Sequence, residues 1–445
     1  MKLTFAKRWT AVALVLLSAG ASATFGRQTH NGSFAVSRSK HDEATNRSTS
    51  AVVSLSELVE QALDHNPEIK AMQRNFDMVR ARIPQAGALP EPMLSYGYTG
   101  NWPLPPFDIQ TGDPSSARML SFTQEIPFPG KLGLKSKMAA VNSEAEWWAY
   151  EQTRLNVIAE VKDAYFDLAY VTKAIETVNK NKDLLDKFAK IAEARYAVGK
   201  GIQQDVLKAQ VEISKLIDQL AVLEQRKQTA QARLNNLLYR DPDSPLQTPE
   251  EIKPREFSKT MTELKELALV NYPMLKAQKR KIDRERYGVQ LAEKEFYPDV
   301  TVGFTYFNRP GLPEMYGVNV GVKLPLYFWK KQRPAVAEAA ASEGMERKRL
   351  DGVTTLLFFK IKDAYLAATT AQKLVSLYGT TVIPQSTLAL ESAISGYEVG
   401  KVDFLTLLDN LVTLRSYEIN YYEQLSNVER AVAAMEPLIG VELRK

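Results

Sequence analysis

Two patterns of apolar and polar residues alternate along this chain. Apolar residues at every second position predict strands at about 94–99 and 120–126, and again at 300–306 and 316–324. The segment between the first two strands, 101–116, is rich in Pro, Gly and Asp, which predicts a loop. Each pair of strands is therefore expected to form a hairpin with one apolar face and one face of small or polar residues.

Between the strands, the chain carries long helical stretches. The segment 55–88 has apolar residues on one face and is interrupted at Asn66-Pro67, which predicts two helices joined by a kink. The segment 134–198 contains no Gly or Pro, and at 1.5 Å per residue it predicts a helix of roughly 95 Å. Gly199 is placed to end this helix in the left-handed conformation.

The helix predicted at 205–240 has apolar residues at alternating spacings of three and four, a seven-residue repeat that imposes coiled-coil packing. Its seam consists of Val206, Ala209, Ile213, Leu216, Leu220, Leu223, Lys227, Ala230, Leu234 and Leu237. A more polar seam follows at Leu407, Asn410, Leu414, Tyr417, Tyr421, Gln424, Val428, Ala431, Met435 and Leu438. The helix before this second seam, at about 335–397, is predicted to be less regular because it contains Gly344, Gly352, Gly379 and Pro384.

The elements occur twice because the chain is a duplication. Residues of 57–99 recur in 263–305 at a constant offset of 206, the difference between 263 and 57. Two short motifs also return: Lys162-Asp163-Ala164-Tyr165 as Lys362-Asp363-Ala364-Tyr365, and Tyr196-Ala197-Val198-Gly199-Lys200 as Tyr397-Glu398-Val399-Gly400-Lys401. The predicted organisation is repeat 1 at 54–240, a proline-rich connector at 241–262 and repeat 2 at 263–440.

The N-terminal region predicts export. Lys2, Lys7 and Arg8 precede an apolar run that closes on Ala21-Ser22-Ala23, the pattern of a secretory signal peptide at 1–23. Residues 24–53 are rich in Ser, Thr, Asn and Arg and are predicted to be a disordered lead. The chain has no cysteine, so we expect neither disulfides nor a lipid anchor at the new N-terminus.

Composition argues against an enzyme and against a nucleic-acid partner. The net charge of +5 falls to about +2 when the three cationic residues of the signal are removed, which is too little to indicate nucleic acid. The three histidines, His30, His41 and His65, and the lack of cysteine leave few parts for histidine-based catalysis or soft-metal ligation. There is no Gly-rich phosphate loop. We expect no cofactor and no bound metal, with energy supplied by a partner.

The strand count suggests how such a chain could form a pore. Two repeats supply four strands, whereas membrane barrels begin near eight, so two chains would give eight strands and three would give twelve. A twelve-stranded barrel can keep an open lumen, which makes a trimer the smallest useful pore. The expected junctions between sheet and helix are marked by prolines, which stop both kinds of backbone bonding, at Pro90, Pro92, Pro127, Pro129, Pro298 and Pro325.

With its duplication, hairpin positions and Tyr-x-Val-Gly turns, the chain resembles the outer-membrane efflux channels typified by TolC, over about 54–440. The run 124–131, Gln-Glu-Ile-Pro-Phe-Pro-Gly-Lys, is similar to the heavy-metal-efflux branch. The resemblance implies a mainly α fold with membrane β-structure: a homotrimer that shares a twelve-stranded β-barrel in outer-membrane lipid, above an α-helical barrel of coiled-coil hairpins in the periplasm. It also implies a periplasmic adaptor protein that couples the channel to an inner-membrane pump.

Individual residues follow from the same resemblance. The tip turns expected to meet the adaptor are Val198, Gly199 and Lys200 in repeat 1, with Val399, Gly400 and Lys401 in repeat 2, although Gly199 and Gly400 also suit plain helix caps. Asp409 falls where the family places an acidic residue at the closed periplasmic entrance, and the neighbouring acid is replaced by Thr406. Asp205, at the start of a return helix, is a further gate or lumen candidate. A solvated helix residue is the simpler interpretation of Asp409.

Two charged residues lie on the polar face of the strands. Glu125 and Lys323 take equivalent places in the two repeats, where they could form a lumen ring of alternating charge or a salt bridge at the rim. A different class of function is also compatible with the pattern: an exported coiled-coil scaffold whose hairpins form an oligomerisation sheet. The two hypotheses differ in what covers the apolar strand face, which is lipid in a channel and protein in a scaffold.

Overall fold

The computed structural model describes residues 54–100, 112–247 and 249–443, so the predicted signal peptide and lead lie outside the described residues. Its helices are α1 Leu55–His65, α2 Pro67–Gly87, α3 Lys131–Ala197, α4 Gln203–Leu237, α5 Met261–Asn271, α6 Pro273–Lys294, α7 Gln332–Leu377, α8 Ile383–Glu398 and α9 Phe404–Ile439. Its strands are β1 Met93–Thr99, β2 Ala117–Ile126, β3 Asp299–Asn308 and β4 Met315–Lys323. Within these residues, no helix combines the length and apolar character needed to cross a membrane.

The predicted kink near the start of each repeat is confirmed. Asn66 ends α1 and caps α2, its side-chain oxygen accepting hydrogen bonds from the N–H groups of Glu68 at 2.9 Å and Ile69 at 3.3 Å. Pro67 occupies the first turn of α2, where its missing N–H costs nothing. Pro273 has the same place at the start of α6, without a side-chain cap. Both repeats therefore begin with the same pair of helices.

The long predicted helix of repeat 1 is also confirmed, since α3 runs without a break for 67 residues. It packs against α4 along the predicted seam, where Ala209, Leu216 and Leu223 are buried. A second long contact joins α3 to α9 of repeat 2. The helices nearest the sheet pack in the order α2, α3, α6 and α7, the same order as their strands. Each strand therefore continues into its own helical neighbour.

Repeat 2 is less regular, as predicted, but only at one place. A π turn, Tyr378–Val382, separates α7 from α8, and Pro384 lies in the first turn of α8. A Cβ on Gly379 would lie 3.2 Å from a ring carbon of Tyr421, so a larger residue would require the Tyr421 ring to shift by a few tenths of an ångström. Gly344 and Gly352 lie inside α7 and leave it unbroken. The irregularity comes from the Gly–Pro pair alone.

The four strands form one antiparallel sheet in the order β1-β2-β3-β4. The register aligns Phe122 with Phe304 and Phe304 with Val318. The aligned apolar side chains continue across all four strands as Leu94, Tyr96, Leu120, Phe122, Ile126, Val300, Val302, Phe304, Tyr306, Tyr316, Val318, Val320 and Val322. Most of this face is exposed in the protomer, with Val318 74 % exposed. The opposite face carries mainly Ser, Thr, Gly and a few charged residues.

The connector is more than a link between the repeats. Phe257 is buried in a core cluster with Leu264 of α5, Leu357 of α7 and Met435 of α9. Earlier in the connector, the backbone N–H of Glu250 donates to the hydroxyl of Tyr165 at 2.8 Å. The segment is thus held against both repeats, which the sequence did not indicate. The exact domain boundaries stay a prediction.

Candidate functional site

The two hairpin tips have the same backbone structure. In repeat 1, Gly199 adopts a φ of +71°, its N–H donates to the carbonyl of Tyr196, and the N–H of Lys200 donates to the carbonyl of Arg195. In repeat 2, Gly400 has a φ of +76°, and the same pair of bonds ends on Tyr397 and Gly396. This is the Schellman end of a helix, in which a glycine turns the chain and satisfies the last carbonyls.

The side chains of these turns point outward from the core. Val198 and Val399 are both 68 % exposed, and Lys200 and Lys401 are exposed beside them. Each tip therefore presents one apolar and one cationic side chain at equivalent positions. This arrangement suits contact with another protein, because isolated exposed valines at rigid turns can be buried without any rearrangement of the backbone.

One arginine joins the two tips within the protomer. The Nη1 atom of Arg195, near the end of α3, donates to the carbonyl oxygen of Tyr397, near the end of α8, at 2.5 Å. The guanidinium also lies over the Tyr397 ring, 4.6 Å from its centroid, a cation–π contact. The corresponding position in repeat 2 is Gly396, by the tip offset of 201 that relates 196 to 397. Sequence reasoning missed Arg195 because its partner is 202 residues away.

Two carboxylates lie near this arginine. Burial raises the pKa of Asp205 above its usual value and the charge of Asp403 raises it further, while Arg195 acts in the opposite direction. Asp403 caps α9, accepting the backbone N–H of Thr406 at 2.8 Å, and its bonds with Thr406 lower its pKa. Repeat 1 lacks this cap, since Ile202 holds the N-cap position of α4. The tip therefore combines one cation with two acids in different environments.

The other predicted gate residues lie further along α9. Asp409 and Thr406 are exposed on the same side of the helix, three residues apart, away from the buried Leu407 and Leu411. Thr406 touches the tip network through its backbone, whereas Asp409 makes no recorded side-chain bond within the described part of the chain. Their role in a gate stays a prediction, since a protomer alone does not bring them together with other acids.

The polar face of the sheet carries the remaining predicted residues. Glu125 is aligned with Thr301, and Lys323 is aligned with Asp299, so both charges lie on the small-and-polar face. Among the described residues, Glu125 and Lys323 form no salt bridge with each other. The proposed rim salt bridge is thus not seen within one protomer, and a lumen ring stays a prediction.

A different charged cluster lies at the base of the sheet, and the sequence did not indicate it. The side chain of Lys131, the first residue of α3, is 3 % exposed and its ammonium group is bonded. It donates to Asp299 at 2.8 Å, to Glu295 at 3.2 Å and to the carbonyl of Tyr297 at 3.2 Å. Asp299 also accepts the N–H of Phe128 at 2.7 Å. These bonds fix the start of the long helix to the start of β3.

The candidate sites are two surfaces, the hairpin tips and the two faces of the sheet. Within the described residues, no group of three or more His, Asp or Glu side chains is placed to hold a metal ion. A sheet with an exposed apolar face, joined to antiparallel coiled coils with rigid tips, defines a class of membrane channel subunits. The chain belongs to the outer membrane efflux protein family, whose model matches residues 58–238 and 264–441, one match for each repeat.

Relatives and solved structures agree with this family. The chain is 23 % identical over 403 residues to the cobalt-zinc-cadmium resistance protein CzcC of Cupriavidus metallidurans, covering 88 % of this chain and 91 % of the relative. It is 24 % identical to the toxin and drug export protein A of Aggregatibacter actinomycetemcomitans, covering 68 % of this chain and 70 % of the relative. The fold is similar to that of the CmeC outer membrane channel of Campylobacter jejuni, with a TM-score of 0.75, 16 % identity, and coverage of 95 % of this chain and 96 % of that one.

These findings confirm the main prediction of class and place. The chain is an outer-membrane efflux channel, not an enzyme. The scaffold hypothesis is not supported. The apolar sheet face, whose covering separates the two hypotheses, is exposed in the protomer.

Proposed function

We propose that three copies of this chain form a passive exit duct of a tripartite efflux system. The observation that carries the proposal is the exposed apolar face of a four-stranded sheet whose outer strands, β1 and β4, are both open edges. Three such sheets joined edge to edge give a twelve-stranded barrel with the apolar face toward lipid and the small, polar face toward the lumen. Closing the barrel also removes the unpaired strand edges.

The helices support three copies as well. In repeat 1, α3 packs on α4 of its own repeat and also on α9 of repeat 2. In repeat 2, α7 packs on α9 of its own repeat, but α4 of repeat 1 does not pack on it. Ala159 of α3 is only 9 % exposed, but Phe359, its equivalent on α7 at an offset of 200, is 66 % exposed. A neighbouring protomer's α4 would cover this side of α7 in the same way that α9 covers α3. The duplicated chain then closes as a ring of six similar hairpins.

The tips are the proposed docking surface for a periplasmic adaptor. Val198, Gly199 and Lys200 repeat the surface of Val399, Gly400 and Lys401, so a trimer would offer six similar turns. An adaptor could then bind both repeats with the same contacts. The adaptor in turn would couple the duct to an inner-membrane pump, which supplies the energy.

The gate is proposed to lie just above these turns. Arg195 holds the two hairpins together through Tyr397, and Asp205 with Asp403 set the charge around it. Asp409, with Thr406 in the place of a second acid, would line the entrance where three copies of α9 meet. Glu125 and Lys323 would add charge to the lumen at the level of the sheet.

The cargo proposed first is that of heavy-metal efflux. The run at 124–131 resembles that branch, and CzcC is matched over nearly its whole length. Toxin or drug export is the second candidate, favoured by the similarity to the export protein of A. actinomycetemcomitans. Deleting the chain in its own host should raise sensitivity to one of these cargo classes, and that comparison decides between them.

The duct is tested by placing the same charge on the two faces of one strand. Val302→Arg puts an arginine on the apolar face and should block assembly in the outer membrane, at a cost of roughly 2–4 kcal/mol near the bilayer midplane. Thr301→Arg, one residue away on the polar face, should assemble and change ion conductance instead. Membrane fractionation, native mass measurement and planar-bilayer recording give the readouts. Normal trimers of the Val302 variant would contradict the proposal.

A further inference from the structure

The segment 324–331, between β4 and α7, forms a turn that presents several aromatic and aliphatic side chains to the outside. Phe328, itself 38 % exposed, lies near Phe296 with its ring 5.5 Å from the guanidinium of Arg333. The exposed side chains are Leu324, Leu326, Tyr327 and Trp329. Two lysines, Lys330 and Lys331, follow them directly. The turn is ordered by backbone bonds from the N–H groups of both lysines to the carbonyl of Tyr327, each 3.0 Å long.

A cavity of about 370 Å³ lies under this turn, a volume in the range of small-ligand sites. Its walls come from the start of α3, the end of α6, both strands of the second hairpin and the start of α7. The charged lining residues are Lys131, Glu295, Asp299, Lys323 and Lys331, and the apolar lining includes Leu324, Leu326 and Tyr327. The cavity thus has a charged floor and an apolar rim.

Two polar groups that line the cavity, one acceptor and one donor, have no hydrogen-bond partner among the described residues. Gln332 is 8 % exposed, yet its side-chain oxygen Oε1 has no hydrogen-bond partner, which is costly for a buried acceptor. Lys131 has used its three N–H donors on Glu295, Tyr297 and Asp299. Lys331 has no side-chain partner recorded among the described residues. The site therefore has a free donor with positive charge and, beside it, a free acceptor.

The cavity also lies where the sheet leaves the membrane. The apolar face of β4 ends at Val322 and Leu324, and the exposed Tyr327 and Trp329 follow within five residues. Tyrosine and tryptophan are enriched at the boundary between the acyl chains and water, and lysines beside them bind lipid phosphates. The apolar rim is thus continuous with the lipid-facing side of the sheet.

We infer that this cavity binds the headgroup of an aminophospholipid of the phosphatidylethanolamine class, an inference that rests on the sheet lying in the outer membrane. The phosphate accepts hydrogen bonds from Lys331, with Lys323 nearby. The primary ammonium donates to Oε1 of Gln332, next to the carboxylate of Glu295. The acyl chains leave over Leu324, Leu326 and Tyr327 onto the apolar sheet face. One group of the ligand thus matches each unused group of the site.

The long turn over the cavity, with its two lysines, belongs to repeat 2, whereas Lys131 of repeat 1 contributes to the cavity floor. The equivalent junction of repeat 1 is four residues long, 127–130, and contains no lysine. Its Phe128 stacks on Tyr297, a residue that lines the cavity, at a centroid distance of 4.5 Å. A trimer would therefore bind three lipids at these junctions rather than six.

Native mass spectrometry of the detergent-purified, delipidated full-length trimer tests the inference. The probes are phosphatidylethanolamine, phosphatidylglycerol with the same acyl chains, and free phosphoethanolamine. We expect up to three tightly bound phosphatidylethanolamines, weaker phosphatidylglycerol and no retained phosphoethanolamine. Lys331→Gln should weaken binding of both lipids about fivefold, the effect of one lysine near a lipid phosphate. Gln332→Met should remove the preference for the ethanolamine lipid.

Lys330→Gln is the matched control, because it removes the same charge one residue away, outside the cavity lining. Its lipid binding should stay within twofold of the wild-type value. Equal binding by the Lys331, Gln332 and Lys330 variants would overturn the inference, and so would retention of free phosphoethanolamine as tight as that of the lipid. A cavity closed by the neighbouring chain would give no bound lipid in any variant, which also overturns it. Trimer mass and conductance are recorded for each variant, so a failed duct is distinguished from a failed lipid site.

Discussion

The same four residues occur in both repeats, Lys-Asp-Ala-Tyr, and the structure treats them differently. In repeat 1, Lys162 is bonded to the buried Glu436 of α9 at 2.5 Å, and Asp163 accepts bonds from Arg233 at 2.8 Å and Arg430 at 2.6 Å. In repeat 2, Lys362 and Asp363 are both exposed. One sequence motif thus belongs to a buried network in one copy and to an open surface in the other.

The difference teaches that the motif does not determine its own environment. What differs is the neighbour: α3 has α9 of the other repeat against it, whereas α7 has no return helix of the other repeat in the same chain. In the trimer proposed above, this open side of repeat 2 is the side that the next copy would cover.

Breaking the buried pair should have the largest effect. The side chains of Lys162 and Glu436 are only 12 % and 4 % exposed, so Lys162→Met leaves a buried carboxylate without its partner. Removing one member of a buried pair costs about 3–5 kcal/mol. We expect the Lys162→Met trimer to unfold at a clearly lower temperature or urea concentration, followed by circular dichroism.

Lys362→Met is the matched control in the other repeat. Lys362 is exposed in the protomer but lies on the side proposed to face the next copy, so the two variants are also compared as dissociated chains. There, replacing Lys362 should change the free energy of unfolding by no more than about 0.5 kcal/mol. If Lys162→Met and Lys362→Met lower the free energy of unfolding equally, the difference in environment between the two motifs is not supported.

The open side of α7 gives the second prediction. Leu366 is 48 % exposed, whereas Phe166, its equivalent on α3, is partly buried beside α9, whose Ser426 hydroxyl donates to the Phe166 carbonyl at 2.8 Å. If another copy covers Leu366, then Leu366→Ser should weaken each interface by about 1.5–3 kcal/mol. Native mass measurements on dilution should show monomers of normal helical content.

Ala367→Ser places the same residue at the next position of α7, which is also exposed but points about 100° away around the helix, and serves as the control. Its trimer should dissociate at the wild-type concentration. A Leu366 variant that also keeps its trimer would mean that another surface joins the copies.

Sequence reasoning predicted the elements well and their contacts poorly. The kink at Asn66-Pro67, the 67-residue helix and the four strands follow from local signals, namely a cap with proline, an absence of Gly and Pro, and alternation. The seam of α4 follows from its seven-residue period. The Gly379 and Pro384 pair indicated the irregular helix, although not the π turn that accommodates it.

The charged contacts could not be predicted in this way. The partners of Lys131, Lys162 and Arg195 lie between 164 and 274 residues away, and no periodic pattern relates them. Glu125 and Lys323 were correctly assigned to the polar face, because alternation determines which face of a strand each residue is on. Alternation does not identify the residues that these two side chains contact. Asp205 was singled out without its neighbours Arg195 and Asp403, which only the folding of both tips brings together.

The tip contrast gives the third prediction. Arg195 in repeat 1 corresponds to Gly396 in repeat 2, so each protomer has one arginine that joins its two hairpin tips, the one that contacts Tyr397. Arg195→Ala removes a charged hydrogen bond and a cation–π contact, together about 1–2 kcal/mol, which corresponds to a roughly 5- to 30-fold rise in open probability. Single-channel recording of the purified channel measures this change. Lys190→Ala, an exposed lysine on the same helix, should leave the open probability unaltered.

The smallest predicted effect is a pH dependence of the open probability. It arises from Asp205 in repeat 1, whose equivalent in repeat 2, Thr406, carries no charge. Because burial and Asp403 raise the pKa of Asp205, the ionised carboxylate destabilises the described tip, which we propose is the closed state of the gate, at neutral pH. That cost is lost as the pH falls through the raised pKa toward about 4. Asp403, with its lowered pKa, still carries its charge and caps α9 across this window.

Open probability should therefore fall as the pH is lowered from 7 to about 4, by less than the change that Arg195→Ala produces. Asp205→Asn removes the carboxylate, so this position is uncharged in repeat 1 as it is at Thr406 in repeat 2. The variant should therefore lose the pH dependence of the open probability. Asp218→Asn, an exposed site on the same helix, should keep it. If the Asp205 variant still responds to pH, the titrating group lies elsewhere, and Asp205 is not the residue that couples the gate to pH.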